Sequence, residues 1–282
     1  MTLDNTWFSE PQPDSGTAFS LKITEKLHQE QSQFQTIEIF QTEHFGKLMV
    51  IDGYIMLTDR DNFIYHEMMS HPILFSHPNP EKVLIIGGGD CGTLREVLKH
   101  DSVKTVQQVD IDERVTRLSE IHFPALCESN NDSRAELHFE DGIKWVKEAQ
   151  PDSYDVIIVD STDPIGPGEV LFSTEFYQNC RRILKNDGLI VQQSESPLLH
   201  HESIILPMHQ RMQAAGNPHT LSFHFPQCVY PSGWWSCTVG SKTALSSFRE
   251  KAVINKPFKT LYYNAEIHKA ATAQPEFMKH NS

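Results

Sequence analysis

The chain has 282 residues, 39% of them hydrophobic and 22% charged, which suits one large domain or a domain with a small appendage and leaves enough apolar side chains for a core. That balance excludes collagen-like, fibrous and disordered classes, and no apolar run approaches the ~20 residues of a membrane span. With 24 Lys and Arg against 37 Asp and Glu, the net charge of −13 argues against nucleic acid or an anionic membrane as partner, and otherwise signals only a soluble surface.

Residues 1–5 have neither a basic start nor an apolar stretch, so no signal peptide is expected. Residues 19–23 and 35–40 alternate apolar with polar, the period of half-buried strands. Residues 47–51 run into Asp52-Gly53, a hairpin turn, and residues 54–58 return from it. This predicts a small antiparallel sheet within a first domain, residues 1–65. A second domain, residues 66–282, is expected to follow. A helical pattern over 63–71 should end at Pro72, and residues 76–80, rich in proline, read as a connector.

From residue 82 short apolar strands alternate with helices. Strands are predicted near 83–86, 106–111, 156–159 and 189–191, with helices at 93–100, 113–121, 174–184 and 201–214. Late strands follow near 221–225 and 235–239. Such alternation predicts an α/β fold, the small antiparallel β-sheet domain being followed by a Rossmann-like, doubly wound and mostly parallel sheet. The five cysteines (Cys91, Cys127, Cys180, Cys228 and Cys237) are scattered without a Cys-x-x-Cys pair, which points to a reducing, cytoplasmic setting.

Gly87-Gly88-Gly89-Asp90-Cys91-Gly92 follows the first strand of that sheet and opens a helix. Glycines there let backbone approach a ligand closely. Asp110 lies 21 residues beyond Gly89, at the end of the next strand, where an acid can accept hydrogen bonds from a ribose diol. Asp90 inside the loop disfavours a pyrophosphate, which wants helix-terminus amides free of competing charge. It favours a nucleoside that is cationic at its far end, such as a sulfonium carrying an amine. Asp141, followed by Gly142, is either an acceptor for an adenine amino group or the N-cap of the helix beginning at Ile143.

Asp160-Ser161-Thr162-Asp163-Pro164-Ile165-Gly166-Pro167 follows the 156–159 strand directly. Carboxylates at the C-terminal end of a central strand face the crevice where open α/β sheets bind ligands. Asp160 and Asp163 repel each other unless a cation lies beside them. No histidine is near in sequence, and no metal is expected.

With these motifs the chain resembles the spermidine synthases, the polyamine aminopropyltransferases. The likeness runs from Trp7-Phe8-x-Glu10 through Phe63-Ile64-Tyr65-His66-Glu67-Met68, Gly87-Gly88-Gly89-Asp90, Leu94-Arg95-Glu96-Val97 and Asp160-x-x-Asp163-Pro164-x-Gly166-Pro167 to Tyr230-Pro231-Ser232-Gly233 and Tyr262-Tyr263-Asn264. The resemblance implies a methyltransferase-type sheet and transfer of an aminopropyl group from decarboxylated S-adenosylmethionine to a diamine, putrescine by default, leaving methylthioadenosine. It implies donor contacts at Gln35, Gly87, Gly89, Asp110, Asp141, Gly142 and Pro167. Polyamine contacts would be Tyr65, His66, Asp90, Asp160, Ser161, Thr162, Asp163 and Tyr230, with Asp160 as base. It further implies a homodimer or homotetramer and no cofactor beyond the donor co-substrate. The sequence departs from the family pattern at Cys91, where a glycine is usual, at Asp110, often Glu, and over 270–275, which is more polar than usual.

The chemistry asks for these groups. An amine with a pKa near ~10.4 must lose a proton before it attacks, and an aspartate near ~3.9 accepts it only if burial brings the two closer. The distal ammonium needs its own anion, Glu10 or Glu169. Asp90 would also repel the carboxylate of ordinary S-adenosylmethionine. The fifteen histidines show no metal-ligand spacing, Met208 and Met212 read as core, and Trp234-Trp235 reads as packing beside the slot. Two other readings stay open, a putrescine N-methyltransferase and a catalytically silent polyamine-binding protein.

Overall fold

The computed structural model describes residues 3–162, 166–245 and 247–279, with residues 166 and 167 as backbone only. Five strands, β1 (Trp7–Gln12), β2 (Thr17–Gln31), β3 (Thr36–Thr42), β4 (Lys47–Ile51) and β5 (Tyr54–Thr58), form an antiparallel meander in chain order. Asp52 and Gly53 both adopt positive φ, 50° and 88°, as a tight hairpin turn requires. Strand β1 was not legible, because Pro11 and three polar neighbours break its pattern; it is an edge strand, where proline is tolerated.

The expectation of a half-buried strand over 35–40 is corrected: β3, like β4 beside it, is covered on both faces. Ile37, Ile39, Met49 and Ile51 pack against Val115, Leu118 and Phe123 of the larger sheet's layer. Phe40, Leu48 and Val50 pack on the other side with Val229. The small sheet is therefore wedged into the rest of the molecule.

The larger sheet has the order β11-β12-β10-β9-β6-β7-β8, made of β6 (Lys82–Gly87), β7 (Thr105–Asp110), β8 (Ala135–Phe139), β9 (Tyr154–Asp160), β10 (Leu184–Gln193), β11 (His219–Pro226) and β12 (Trp234–Ser241). Strands β6 to β10 are parallel, and β12 runs antiparallel to both of its neighbours. Alternate residues go to opposite layers. Val83, Ile85, Val156 and Ile158 face α1 (Asn62–Ser76) and α2 (Gly92–Leu98). Leu84, Ile86, Ile157 and Val159 face α4 (Gly142–Glu148), α5 (Thr174–Ile183) and α6 (Leu206–Ala214). Each such side chain, fully buried, contributes roughly 1.5–3 kcal/mol. Met208 and Met212 of α6 lie in that second layer, as core. A further helix, α3 (Glu113–His122), packs against the small sheet.

Helix α1 does not stop at Pro72 but continues to Ser76. Proline removes the N–H that would bond the Met68 carbonyl. The Cys237 thiol donates to that carbonyl instead, at 3.7 Å, so the lost bond is partly made good from β12. The 201–214 pattern begins as a π-helical turn, His201–Ile205, before α6 takes over with a proline in its first turn. Three short C-terminal helices, α7 (Glu250–Ile254), α8 (Ala265–Ala270) and α9 (Glu276–Lys279), complete the described chain. The Glu67 carboxylate of α1 accepts the backbone N–H groups of Leu261, Tyr262 and Tyr263 at 2.7–2.9 Å, which moors the C-terminal segment to this helix. No helix among the described residues is long and apolar enough to cross a membrane.

Candidate active site

The site lies beyond the C-terminal ends of β6, β7 and β9, where the strand order reverses direction. Gly87 pairs with Asp160 across β6 and β9, and Gly88 N–H donates to the Asp160 carbonyl at 2.7 Å. Gly87 has φ 82°, and a Cβ there would run into that carbonyl oxygen. Only glycine lets the two strand ends meet so closely. At Gly92, a Cβ would strike the His66 ring. The glycine cluster therefore makes room for protein groups of the site as well as for any ligand.

Two carboxylates stand here in different electrostatic states. Asp90 accepts the Gly92 N–H at 2.6 Å and lies 3.2 Å from His66 Nε2. Burial would raise its pKa, but His66 beside it holds it below the ordinary aspartate value. His66 is affected in the reciprocal way: burial opposes its charge, yet Asp90 and then Asp160 raise its pKa. Asp160 instead is pushed up, first by burial and then by the Asp90 charge. Its Oδ1 accepts the Tyr65 hydroxyl at 2.7 Å and its Oδ2 accepts the Thr93 hydroxyl at 2.6 Å. Tyr65 stays protonated, because burial and Asp160 raise its pKa well above 10. Thr93 escaped the sequence reading, since nothing local marks a threonine in a first helical turn as the partner of a residue 67 positions away.

A small slot of about 40 Å³ adjoins Asp160 through Tyr65, whose hydroxyl meets the carboxylate, and through Ser161, the next residue in the chain. Tyr65, Ser161, Thr162, Tyr230, Trp235 and Glu10 are among its walls. The Tyr65 and Tyr230 rings meet edge to face at 5.8 Å, and Tyr230 and Trp235 at 4.7 Å. The Tyr230 hydroxyl donates to the Met56 carbonyl of β5, so the small sheet closes one side of the slot. Of the two acids proposed for a distal ammonium, Glu10 lines the slot and accepts the Ile55 N–H at 2.6 Å, whereas Glu169 is exposed on a 3₁₀ helix, Gly166–Phe172. Asp163 lies outside the described residues, as does the side chain of Pro167.

On the opposite side, Asp110 ends β7 and accepts the Asp112 N–H at 2.8 Å. Burial, with the Asp112, Asp160 and Asp90 charges behind it, raises its pKa to about 6. Gly89 leaves no room for a Cβ beside Asp110 Oδ2, so it abuts the same acid. Asp112 is the organising residue that sequence reasoning passed over. Its Oδ1 caps α3 through Arg114 N–H at 3.0 Å, and its Oδ2 accepts the Ser32 hydroxyl at 2.6 Å and the Gln35 amide at 2.9 Å. Gln35 is thereby brought from the small sheet to the rim of the site. Asp141 does cap α4, accepting Ile143 N–H at 2.8 Å, and Gly142 follows it in the first turn against Ile86. Among the described residues, no three or more His, Cys, Asp or Glu side chains are grouped to hold a metal ion.

The comparisons with known proteins agree with this arrangement. Residues 62–250 match the model of the spermine/spermidine synthase domain, and residues 6–59 that of the spermidine synthase tetramerisation domain. The polyamine aminopropyltransferase of Thioalkalivibrio sulfidiphilus is 65% identical over 280 residues, 99% of this chain and 98% of its own. That of Methylococcus capsulatus is 61% identical over 271 residues, 96% of this chain and 95% of its own. Among solved structures, a spermidine synthase in complex with the transition-state analogue AdoDATO superposes with a TM-score of 0.93 at 36% identity, covering 99% of this chain and 96% of that one. The spermidine synthase of Thermotoga maritima gives 0.92 at 36% identity, with 99% and 95% covered. The chain belongs to the spermidine synthase family, the polyamine aminopropyltransferases of polyamine biosynthesis.

Proposed function

We propose that the site transfers the aminopropyl group of decarboxylated S-adenosylmethionine to putrescine, giving spermidine and methylthioadenosine. One observation carries this reading: a partly buried carboxylate, Asp160, stands between two hydroxyl donors, and one of them, Tyr65, also lines the adjoining aromatic-walled slot. So small a slot suits an unbranched diamine. An uncharged nucleophile is needed for the attack, so a base must stand beside it.

In this mechanism one amine of putrescine enters past Tyr230 and Trp235. Its nitrogen lone pair attacks the aminopropyl carbon bound to sulfur, the C–S bond breaks, and its electron pair returns to sulfur, which becomes a neutral thioether. The proton shed by the attacking nitrogen passes to Asp160. The raised pKa of Asp160 favours that transfer, since a base closer in pKa to the buried amine takes the proton more readily. Tyr65 orients Asp160, while proximity and in-line placement supply much of the remaining rate. Asp90, held ionised by His66, binds the donor's amine and repels the carboxylate of ordinary S-adenosylmethionine. Glu10 takes the distal ammonium, Ser161 and Thr162 line the diamine's path, and the family resemblance assigns Asp163 to the polyamine as well. Asp110 accepts the ribose hydroxyls; Gln35, Gly87, Gly89, Asp141, Gly142 and Pro167 frame the rest of the adenosine. The name of the matched N-terminal domain supports an oligomer, a homodimer or homotetramer, and the AdoDATO complex of the 36%-identical structure supports action on small molecules. A cytoplasmic setting and the absence of a cofactor beyond the donor complete the reading.

The test is product analysis by mass spectrometry with putrescine and either sulfonium donor. Spermidine and methylthioadenosine from the decarboxylated donor alone are expected. N-methylputrescine from ordinary S-adenosylmethionine would overturn the reaction while leaving the fold intact.

A further inference from the structure

We infer that Thr93 is a positioning residue for the reaction, holding Asp160 in one orientation and in its proton-accepting form through the hydrogen bond from its hydroxyl. The inference rests on the proposed role of Asp160 as base. Thr93 is the second residue of α2, fully buried, and its Oγ1 stands 2.6 Å from Asp160 Oδ2. A first-turn threonine commonly turns its hydroxyl back onto its own helix, or onto water when exposed. Here neither applies, because the hydroxyl crosses from α2 to the end of β9. On the other oxygen the Tyr65 hydroxyl lies at 2.7 Å, so two donors on two different helices pin the carboxylate from both sides.

The pinning is needed because of what else surrounds Asp160. Asp90 from the glycine loop faces it, and Asp110 at the end of β7 also feels its charge; both are acids. His66 from α1 is the cationic group that favours its ionised form. Burial and Asp90 push Asp160 towards protonation, and a protonated aspartate can neither take the amine's proton nor hold an ammonium. Hydrogen bonds to the charged form oppose that drift. Tyr65 provides one and Thr93 the other. Of the two, the Thr93 bond also fixes which oxygen is left facing Tyr65 and the slot.

The experiment is the pH dependence of kcat/KM for putrescine at saturating donor, so that Asp110 does not enter the profile. Thr93→Val keeps the shape and removes the hydroxyl. Its acidic limb should move to higher pH, with activity on that limb about tenfold below the parent and the gap closing as pH rises. Thr93→Ser retains the hydroxyl and should keep the parent limb. If Thr93→Val does not fold, Thr93→Ser still decides, because a displaced limb in that variant would overturn the inference. An unshifted limb in Thr93→Val, or a loss that is equal at every pH, would overturn it too. Asp160→Asn separates the two ideas. An inactive Asp160→Asn beside an unshifted Thr93→Val rejects the Thr93 role alone, and an active Asp160→Asn rejects the base assignment on which it stands.

Discussion

The two sides of the site are held together by different means. On the slot side, Asp160 and Asp90 are held mainly by side chains, with Tyr65 and His66 reaching in from α1 and Thr93 from α2, and the Gly92 N–H adding one backbone donor to Asp90. On the opposite side, Asp110 and Asp141 are fixed by backbone N–H groups of the turns and helix starts that follow their strands, while Asp112 takes the Arg114 N–H together with the Ser32 hydroxyl and the Gln35 amide. Side-chain donors can be deleted one atom at a time, and each deletion changes the charge state of the acid it serves. Backbone donors cannot be deleted, so Asp110 and Asp141 should respond to substitution of the acids themselves and little else.

The largest effect should come from the slot side. Asp160→Asn removes the proton acceptor while leaving a side chain that can still meet one of the two hydroxyls, and kcat should fall by about 10²–10⁴-fold, the usual contribution of a general base. Stopped assays quantifying methylthioadenosine would measure it, and a loss below tenfold would make Asp160 an orienting group only. Tyr65→Phe is next. It takes one donor from a partly buried carboxylate, and a loss of about tenfold to a hundredfold in kcat is expected, smaller at high pH than at low. A loss independent of pH would mean that Tyr65 acts on the diamine alone.

Asp110 tests the other side and couples function to stability. Its pKa of about 6 in the folded protein lies above the ~3.9 of an unfolded chain. The folded state therefore binds this proton more tightly than the unfolded state, and stability falls as pH rises from about 4 through 6. Above that window the ionised form costs about 2–3 kcal/mol. Asp110→Asn removes the charge and keeps an oxygen for the Asp112 N–H. The ligand-free variant should melt several degrees higher at pH 7.5, with little difference near pH 4. At the same time the KM for donor should rise about tenfold, because a ribose diol loses a charged acceptor. In the parent, donor KM should climb as pH drops below 6. A variant that is no more stable at pH 7.5 would show that the Asp112 N–H already compensates the charge.

The contrast between the two sides also explains what the sequence made readable. The donor side follows one segment after another along the chain: strand, glycine cluster, strand, acid. Gly87, Asp110 and Asp141 were visible because each needs only its own strand end. The continuous apolar runs of β6, β9 and β10 were equally legible, because burial on both faces removes polar residues from a strand. The slot side is assembled across long separations: Asp160 meets Thr93 over 67 positions and Tyr65 over 95. Thr93 was missed for that reason, as was the bond from Ser32 to Asp112 over 80 positions on the opposite side, because no local pattern announces either. Pro72 misled for a similar reason, since the thiol that makes its presence in α1 tolerable comes from Cys237, 169 positions from Met68. The family resemblance named Tyr65, His66 and Asp90 as polyamine contacts; the structure brings the three together around Asp160, and the resemblance said nothing of what holds them there.

The smallest effect belongs to Cys91, which lies in the glycine loop between the two sides. Its φ of 68° is left-handed, a conformation that costs an ordinary residue about 1–2 kcal/mol. Cys91→Gly would relieve that strain, but glycine also has more freedom to lose on folding, which takes back roughly 0.5–1 kcal/mol. The variant would further empty the space of a fully buried thiol that accepts the Gln108 amide at 3.7 Å and donates to the Gly89 carbonyl at 3.6 Å. Losing that packing costs about 1 kcal/mol. The contributions nearly cancel, so the melting temperature should move by less than about 3 °C and kcat by less than about twofold. Calorimetry and a single steady-state assay would check both. A destabilisation well beyond that range would mean that the thiol is part of the packing that supports Asp90, and that glycine at this position carries a cost.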